Sequence, residues 1–135
     1  MTSANDVQTI NAIKNHLQSV DNLAAAWLYG SRARGEQTED SDYDIAIAVN
    51  NFQQSYAERR LLPETIAIDL TQQFHVPVQV IDINLAPIPL AINVIEDGTP
   101  LLILDELRYC KEISRIEGLW ADQRWHLESL QKVTK

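Results

Sequence analysis

The sequence predicts a single α/β domain in which a sheet is covered by helices. Segments with a helical spacing of apolar residues alternate along the chain with short β-branched or alternating segments, as in an α/β fold. The length of 135 residues and the 45% hydrophobic content suit one compact core. No internal repeat or linker divides the chain, so we treat residues 1–135 as one domain.

The first half of the chain contains one helix and two strands. A helix over residues 5–19 is predicted from the helical spacing of Val7, Ile10, Ile13, Leu17 and Val20. The apolar segment AAAWLYG, residues 24–30, reads as a short buried strand that a glycine ends. Residues 31–41 are polar and are expected to form a loop, and the alternating segment DYDIAIAV predicts a strand over 42–49.

The second half repeats this alternation of helices and strands. A middle helix is expected over residues 53–74, where Pro63 must start, break or kink part of it. The β-branched segment VPVQVIDI predicts a strand over 76–83. The segment APIPLAINVIEDG, residues 86–98, is typical of a short helix that ends near a glycine, and the apolar run PLLILD over 100–105 is typical of a strand.

A last helix is expected over residues 106–132. Its apolar stripe, at helical spacing, consists of Leu107, Cys110, Ile113, Ile116 and Trp120. Because Cys110 lies on this stripe, we expect its thiol in the core. A single cysteine also fits a reducing cytoplasm.

Charge and composition limit the partners of this chain. The formal net charge of −8 argues against broad, phosphate-driven binding to nucleic acid. No apolar run approaches the roughly 20 residues that span a bilayer. The N-terminal segment MTSANDVQTINAIKNHL has neither a basic start nor an apolar core, so it is not a signal peptide. We therefore expect a cytoplasmic protein with no membrane partner and no direct contact to nucleic acid.

The alternation of strand 42–49 places two carboxylates side by side. Four residues point to one side, namely Tyr43, Ile45, Ile47 and Val49, and four to the other, namely Asp42, Asp44, Ala46 and Ala48. The Cα atoms of Asp42 and Asp44 are expected to lie roughly 6.5–7 Å apart. Like charges this close disfavour each other's ionisation unless a cation neutralises them, and hard oxygen ligands suit Mg²⁺. The small Ala46 and Ala48 are expected to leave space beside the carboxylates.

The segment GSRARGEQTEDSDYD, residues 30–44, adds a phosphate-binding half to this pair. Gly30 allows a tight turn and a close approach to a ligand, while Ser31 offers a hydroxyl beside backbone N–H groups. Arg32 and Arg34 carry positive charge for phosphate oxygens. An acid-rich loop is usually only solvated, and Asp-x-Asp alone would favour that interpretation. The upstream Gly-Ser pair and the alternating strand favour a metal–nucleotide site.

These residues resemble a known family. Gly30-Ser31, ten residues and then Asp42-Tyr43-Asp44 match the GSx10DxD signature of the nucleotidyltransferase superfamily related to DNA polymerase β. The segments YGSRARGEQTEDSDYDIAIAV and VQVIDINLAPIPLAINVIEDGTPLL resemble the minimal nucleotidyltransferases (MNT), in particular the MntA-type antitoxins encoded beside HEPN ribonuclease toxins. The resemblance covers residues 7–108. It implies a nucleotidyltransferase fold with a mixed sheet, Mg²⁺, ATP, and transfer of AMP onto a tyrosine of the partner toxin.

The resemblance also assigns roles within the site. Asp42 and Asp44 would be catalytic and would hold the metal. The β- and γ-phosphates would lie against the Gly-Ser pair, and an arginine would assist the leaving pyrophosphate. The residues expected to bind nucleotide are Gly30, Ser31, Arg32, Arg34 and Ser41.

A third carboxylate is usual in the superfamily, and here the sequence departs from the pattern. Related sequences often read VDLVDL where this chain reads VQVIDI, so alignment places Gln79 at the usual acidic position. Asp82 is the one acid of this strand, on the opposite face from Gln79 if the strand is regular. Either the strand shifts or bulges so that Asp82 becomes a metal ligand, or the third carboxylate is missing. We take Asp82 as the expected ligand.

The sequence is also compatible with two other functions, and it leaves the role of two tryptophans undecided. The protein is alternatively an antitoxin that acts by stoichiometric binding and occlusion, with a vestigial nucleotide site, or a nucleotidyltransferase for a small molecule such as an aminoglycoside. Trp120 and Trp125 lie beyond the catalytic resemblance. Since aromatic residues anchor interfaces, they either contact a partner or complete the core.

Overall fold

The computed structural model describes residues 4–50 and 55–133, which form five helices and four strands. The helices are α1 (Ala4–Gln18), α2 (Ser31–Arg34), α3 (Tyr56–Phe74), α4 (Ile88–Asp97) and α5 (Glu106–Val133). The strands are β1 (Leu23–Tyr29), β2 (Tyr43–Val49), β3 (Val78–Asp82) and β4 (Thr99–Ile103). The predicted α/β order is therefore confirmed, with α2 as an additional short helix inside the predicted loop.

The four strands form one mixed sheet in the order β3-β2-β1-β4. β1 pairs antiparallel with both β2 and β4, whereas β2 and β3 are parallel. A parallel pair needs a long crossover, and α3 provides it between β2 and β3. The starts of β2 and β3 and the end of β1 consequently lie at the same edge of the sheet.

Each face of the sheet carries its own layer of helices. On one face, α1 and α3 pack Ile13, Leu17, Ile66 and Leu70 against the large apolar side chains of β2. On the other face, α4 and α5 pack against β1 and β2. Among the described helices, none combines the length and the apolar character needed to cross a membrane.

The expected open space beside Ala46 and Ala48 is not present. Both residues are fully buried, and Trp27 of β1 is the direct cross-strand partner of Ala46. The Trp27 ring stacks on Tyr109 of α5 with centroids 5.5 Å apart. The small alanines therefore accommodate a large neighbour, and any ligand space lies at the edge of the sheet, beyond these residues.

Two helices differ from expectation in ways that packing explains. α3 continues through Pro63, which is buried on the helix together with Ile66 and Leu70. Cys110 is exposed, so the prediction that it lies in the core is wrong. The face of α5 that contacts the domain instead contains Glu112 and Ile116.

Candidate active site

The end of β1 and the start of β2 bring the two halves of the signature together. Tyr29 is the cross-strand partner of Asp44, so Gly30 lies beside that carboxylate. A Cβ atom placed on Gly30 would lie 2.4 Å from Asp44 Oδ2, too close for any side chain. Gly30 also has φ 75°, a conformation that L-residues rarely adopt. The predicted metal-binding half and the predicted phosphate-binding half are therefore in direct contact.

Asp42 and Asp44 form a pair whose charges repel. Burial raises the pKa of the Asp44 carboxyl, the negative charge of Asp42 raises it further, and the positive charge of Arg34 partly opposes both. A divalent cation between two carboxylates removes this repulsion, and their hard oxygen atoms are the ligands that Mg²⁺ prefers. The donor set and the glycine beside it thus fit the Mg²⁺ that the resemblance implies.

Gln79 is the neighbour of this pair on β3. The parallel register places Gln79 directly beside Asp44, on the same face of the sheet. Its Nε2 donates a hydrogen bond to Asp42 Oδ2 at 3.0 Å. Within residues 4–50 and 55–133, no cluster of three or more acidic, histidine or cysteine side chains is arranged to hold a metal. An amide therefore borders the carboxylate pair.

The structure does not bring Asp82 to Asp42 and Asp44. β3 pairs with β2 without a register shift, so Asp82 lies three residues beyond Gln79, about 10 Å along the strand and on the opposite face. The Asp82 side chain is 2% exposed, and its carboxylate accepts a hydrogen bond from the Asn84 backbone N–H at 2.9 Å and faces Arg59 at 3.5 Å. Neither the shift nor the bulge that would make Asp82 a ligand is present.

Arg32 holds the loop in place from inside the protein. Its Nε donates to the backbone oxygen of Ser41 at 2.9 Å, and its NH1 forms an ion pair with Asp6 of α1 at 3.0 Å. The guanidinium also lies 3.9 Å from the centre of the Tyr43 ring, whose hydroxyl donates to Asp6. This buried arginine connects α1, the loop and β2, and its contacts are structural. Asp6 was missed by sequence reasoning because its partners are distant in sequence.

The other nucleotide-binding candidates lie around the turn. Arg34 is exposed and pairs with Glu36 at 3.2 Å, a surface contact that costs little to exchange for a ligand. Ser31 is the first residue of α2, directly after Gly30. The Ser41 hydroxyl accepts the Thr38 backbone N–H at 2.8 Å and so closes the loop locally. Of the five predicted nucleotide-binding residues, Gly30 lies beside Asp44, Ser31 follows Gly30, and the charge of Arg34 acts on Asp44, whereas Arg32 and Ser41 maintain the loop.

Tyr29 belongs to the site although the sequence analysis gave it no role. It is half-buried beside Asp44, and burial together with the Asp44 charge raises its pKa to about 12. Its hydroxyl therefore stays protonated at neutral pH and is able to donate a hydrogen bond. Its position directly before the Gly-Ser pair, at the end of a strand, is the signal that would have found it.

A model of a known protein family matches most of this chain. Residues 11–107, which include the complete Gly-Ser and Asp-x-Asp signature, match the family described as Polymerase beta, Nucleotidyltransferase. The chain belongs to the polymerase beta nucleotidyltransferase family. The match ends at the start of α5, so nearly all of that helix lies beyond the family domain. No curated protein is similar enough to this nucleotidyltransferase in sequence to count as a match.

Solved structures share the fold of this nucleotidyltransferase at low sequence identity. A chain in the crystal structure of a toxin-antitoxin with AMP-PNP has a TM-score of 0.65 and 23% identity, over 92% of this chain and 97% of that one. A chain of the toxin-antitoxin MntA-HepT has a TM-score of 0.62 and 22% identity, over 93% and 98%. A chain from the complex of tri-AMPylated Shewanella oneidensis HEPN toxin with MNT antitoxin has a TM-score of 0.57 and 21% identity, over 90% and 98%.

Replacing Gly30 with alanine is expected to disrupt this nucleotidyltransferase site. The new Cβ displaces the Asp44 carboxylate, so affinity for Mn²⁺ and for an ATP analogue falls roughly tenfold or more, as titration calorimetry measures. Gly35→Ala is the matched control, since Gly35 has φ 74° and open space around its Cβ position. Both variants lose about 1–3 kcal/mol of stability from strain. Equal ligand affinity in the two variants would show that the contact with Asp44 is unimportant.

Replacing Asp44 with asparagine is expected to stabilise the metal-free protein at neutral pH. Because the folded-state pKa of Asp44 is raised, its ionisation weakens the fold as pH rises through that range, and asparagine removes this cost. The melting temperature of Asp44→Asn, measured with a chelator, should exceed that of wild type at pH 7. The difference should vanish at about pH 3, below the ordinary pKa of aspartate. Asp40→Asn, which changes an exposed acid of the same loop, provides the control, and a destabilised Asp44→Asn at pH 7 would contradict this electrostatic account.

Proposed function

We propose that the protein is an antitoxin that transfers AMP from ATP to a tyrosine of a partner HEPN ribonuclease toxin, with Mg²⁺. The contact between Gly30 and the Asp44 carboxylate carries this proposal, because it joins the two halves of a nucleotidyltransferase site. The fold shared with chains of toxin-antitoxin structures, one with AMP-PNP and one with a tri-AMPylated toxin, supports the partner and the reaction. A cytoplasmic location and the lack of direct nucleic-acid binding stay predictions.

Each residue of the site has a defined task in this reaction. Asp42 and Asp44 hold the metal, which supplies charge neutralisation at the phosphates when bound. Gly30 and Ser31 present backbone N–H groups and a hydroxyl to the β- and γ-phosphates, while Arg34 places its positive charge near the leaving pyrophosphate. Catalysis by these groups consists of positioning and electrostatic stabilisation.

The transfer replaces one oxygen–phosphorus bond with another. The phenolic oxygen of the acceptor tyrosine forms a bond to the α-phosphorus, and the bond from that phosphorus to the bridging oxygen of pyrophosphate breaks. The phenolic proton is released, and pyrophosphate leaves. The site lies at an open edge of the sheet, which suits an acceptor that is carried on another protein.

The distal half of α5, residues 119–131, is suited to bind that protein. α5 starts at the far end of β1, where the Asp105 backbone N–H donates to Ala24, and Tyr109 already stacks on Trp27. The middle of α5 is still anchored to the domain, where Glu112 accepts from the Asn84 side chain and Arg115 donates to the Ile83 backbone oxygen. Beyond Trp120 most side chains of the helix are exposed, so its distal half presents a surface to a partner.

An apolar stripe continues along this distal half. Leu127 and Leu130 lie about three and about four helical turns beyond Ile116, so they extend the face that packs on the domain. Both leucines are at least half exposed. Trp120 packs against the core of the domain, whereas Trp125 is 70% exposed on the other side of the helix. We propose that Leu127 and Leu130 contact the toxin.

One observation favours the alternative in which the antitoxin acts by occlusion. Gln79 stands beside Asp44 where a third acid would strengthen metal binding. In that case the nucleotide site is vestigial and the distal half of α5 alone neutralises the toxin. The two functions differ in stoichiometry, because a catalyst protects at a low antitoxin-to-toxin ratio and an occluding partner does not.

The double variant Asp42→Asn, Asp44→Asn separates these functions. Removing both metal ligands should abolish protection of toxin-expressing cells at a low antitoxin level, since AMP transfer falls by about two orders of magnitude or more. The complex with the toxin should still form, as size-exclusion chromatography shows. Glu39→Gln with Asp40→Asn is the control, because it removes two exposed acids of the same loop and should protect fully. Full protection by the Asp42, Asp44 variant would favour occlusion.

Changing Leu127 and Leu130 together to serine tests the docking surface. Loss of two apolar anchors should weaken the affinity for the toxin by roughly tenfold or more in calorimetric titration, while the fold and nucleotide binding are retained. Leu61→Ser with Ile68→Ser is the matched control, since these α3 side chains are similarly exposed. An equal loss of affinity in both variants, or none in either, would contradict the proposed surface.

A further inference from the structure

Gln79 lies beside both carboxylates of the site. It lies level with Asp44 in the parallel register of β2 and β3, so Tyr29, Asp44 and Gln79 form a row across three strands. Its side chain is exposed at the edge of the sheet, and its Nε2 donates to Asp42 Oδ2 at 3.0 Å. Of the side chains in this row, only Asp44 carries negative charge at neutral pH.

We propose that Gln79 makes the site dependent on nucleotide for metal loading. The inference rests on the proposed function, because it concerns the same metal–nucleotide site. Asp42 and Asp44 together supply two carboxylates, which fill only part of the octahedral coordination that Mg²⁺ requires. The Gln79 amide adds no charge, and it occupies the Asp42 oxygen until that hydrogen bond is broken. The free protein consequently binds divalent cations weakly.

A nucleoside triphosphate supplies the metal ligands and the negative charge that the protein lacks. Its phosphate oxygens add negative charge and ligands, and Mg²⁺ commonly binds through one or two carboxylates together with substrate phosphates. By linkage, metal and nucleotide must strengthen each other's binding by the same factor. Gln79 therefore determines that the protein takes up the metal and the triphosphate together.

The test measures Mn²⁺ affinity by the electron paramagnetic resonance signal of the free ion. Wild type should bind Mn²⁺ at least tenfold more tightly with AMP-PNP present than without it, after correction for Mn²⁺ bound to AMP-PNP alone. Gln79→Glu should tighten nucleotide-free Mn²⁺ binding at least tenfold and reduce the effect of AMP-PNP. Gln18→Glu, which adds the same charge at the exposed end of α1 away from the site, should resemble wild type.

Two results would overturn the proposal. One is a nucleotide-free affinity in Gln79→Glu equal to that of wild type, and the other is a wild-type affinity that AMP-PNP leaves unchanged. The double variant Asp42→Asn, Asp44→Asn shows whether the measured Mn²⁺ is bound at these two carboxylates. If it abolishes Mn²⁺ binding while Gln79→Glu has no effect, the inference about Gln79 fails and the proposed catalytic site stands. If Mn²⁺ binding persists in the double variant, both fail.

Discussion

The close contact between the Asp44 carboxylate and the backbone of Gly30 is the constraint on which the site depends. It requires the antiparallel pairing of Tyr29 with Asp44, a glycine with φ 75°, and a loop that returns to β2 in a fixed position. Arg32 meets the last requirement through its buried bonds to Asp6 and to the Ser41 backbone. A polar loop of this length is thereby held in place, so that the Asp44 carboxylate and the Gly30 turn touch.

Charge is distributed unevenly between the two ends of the sheet. At the site, the negative charges of Asp42 and Asp44 repel each other. The positive charge that partly offsets them belongs to Arg34, which is exposed to solvent. At the opposite end, Asp82 meets Arg59, and Glu112 accepts hydrogen bonds from Arg108 and Arg115. Burial opposes the ionisation of Glu112, yet the two arginines outweigh it and lower its pKa. The ion pairs of Asp82 and Glu112 with arginines stabilise the fold. The carboxylates of Asp42 and Asp44 have no comparable partner charge, so this pair is the one suited to bind a cation.

The sequence was sufficient for the parts of the fold that follow from local periodicity. The alternation of β2 correctly separated the face of Ile45 and Ile47 from that of Asp44, and the mixed sheet implied by the resemblance is confirmed. Sequence reasoning failed where tertiary packing determines which side chains are buried. The exposure of Cys110 reflects the rotation of α5 that buries Glu112, and the burial of Arg32 depends on Asp6, far away in sequence. Contacts between residues that are distant in sequence produce no periodic pattern from which they could be predicted.

The most direct test of the account uses ATP labelled on the α-phosphate, with purified protein, Mg²⁺ and the partner toxin. If the Gly30–Asp44 site transfers AMP to protein, label should appear on the toxin at a tyrosine and pyrophosphate should be released in equal amount. Both signals should disappear when Asp42 and Asp44 are changed to asparagine. Stable complex formation and bound nucleotide without any label on the toxin would contradict the account and leave occlusion as the function.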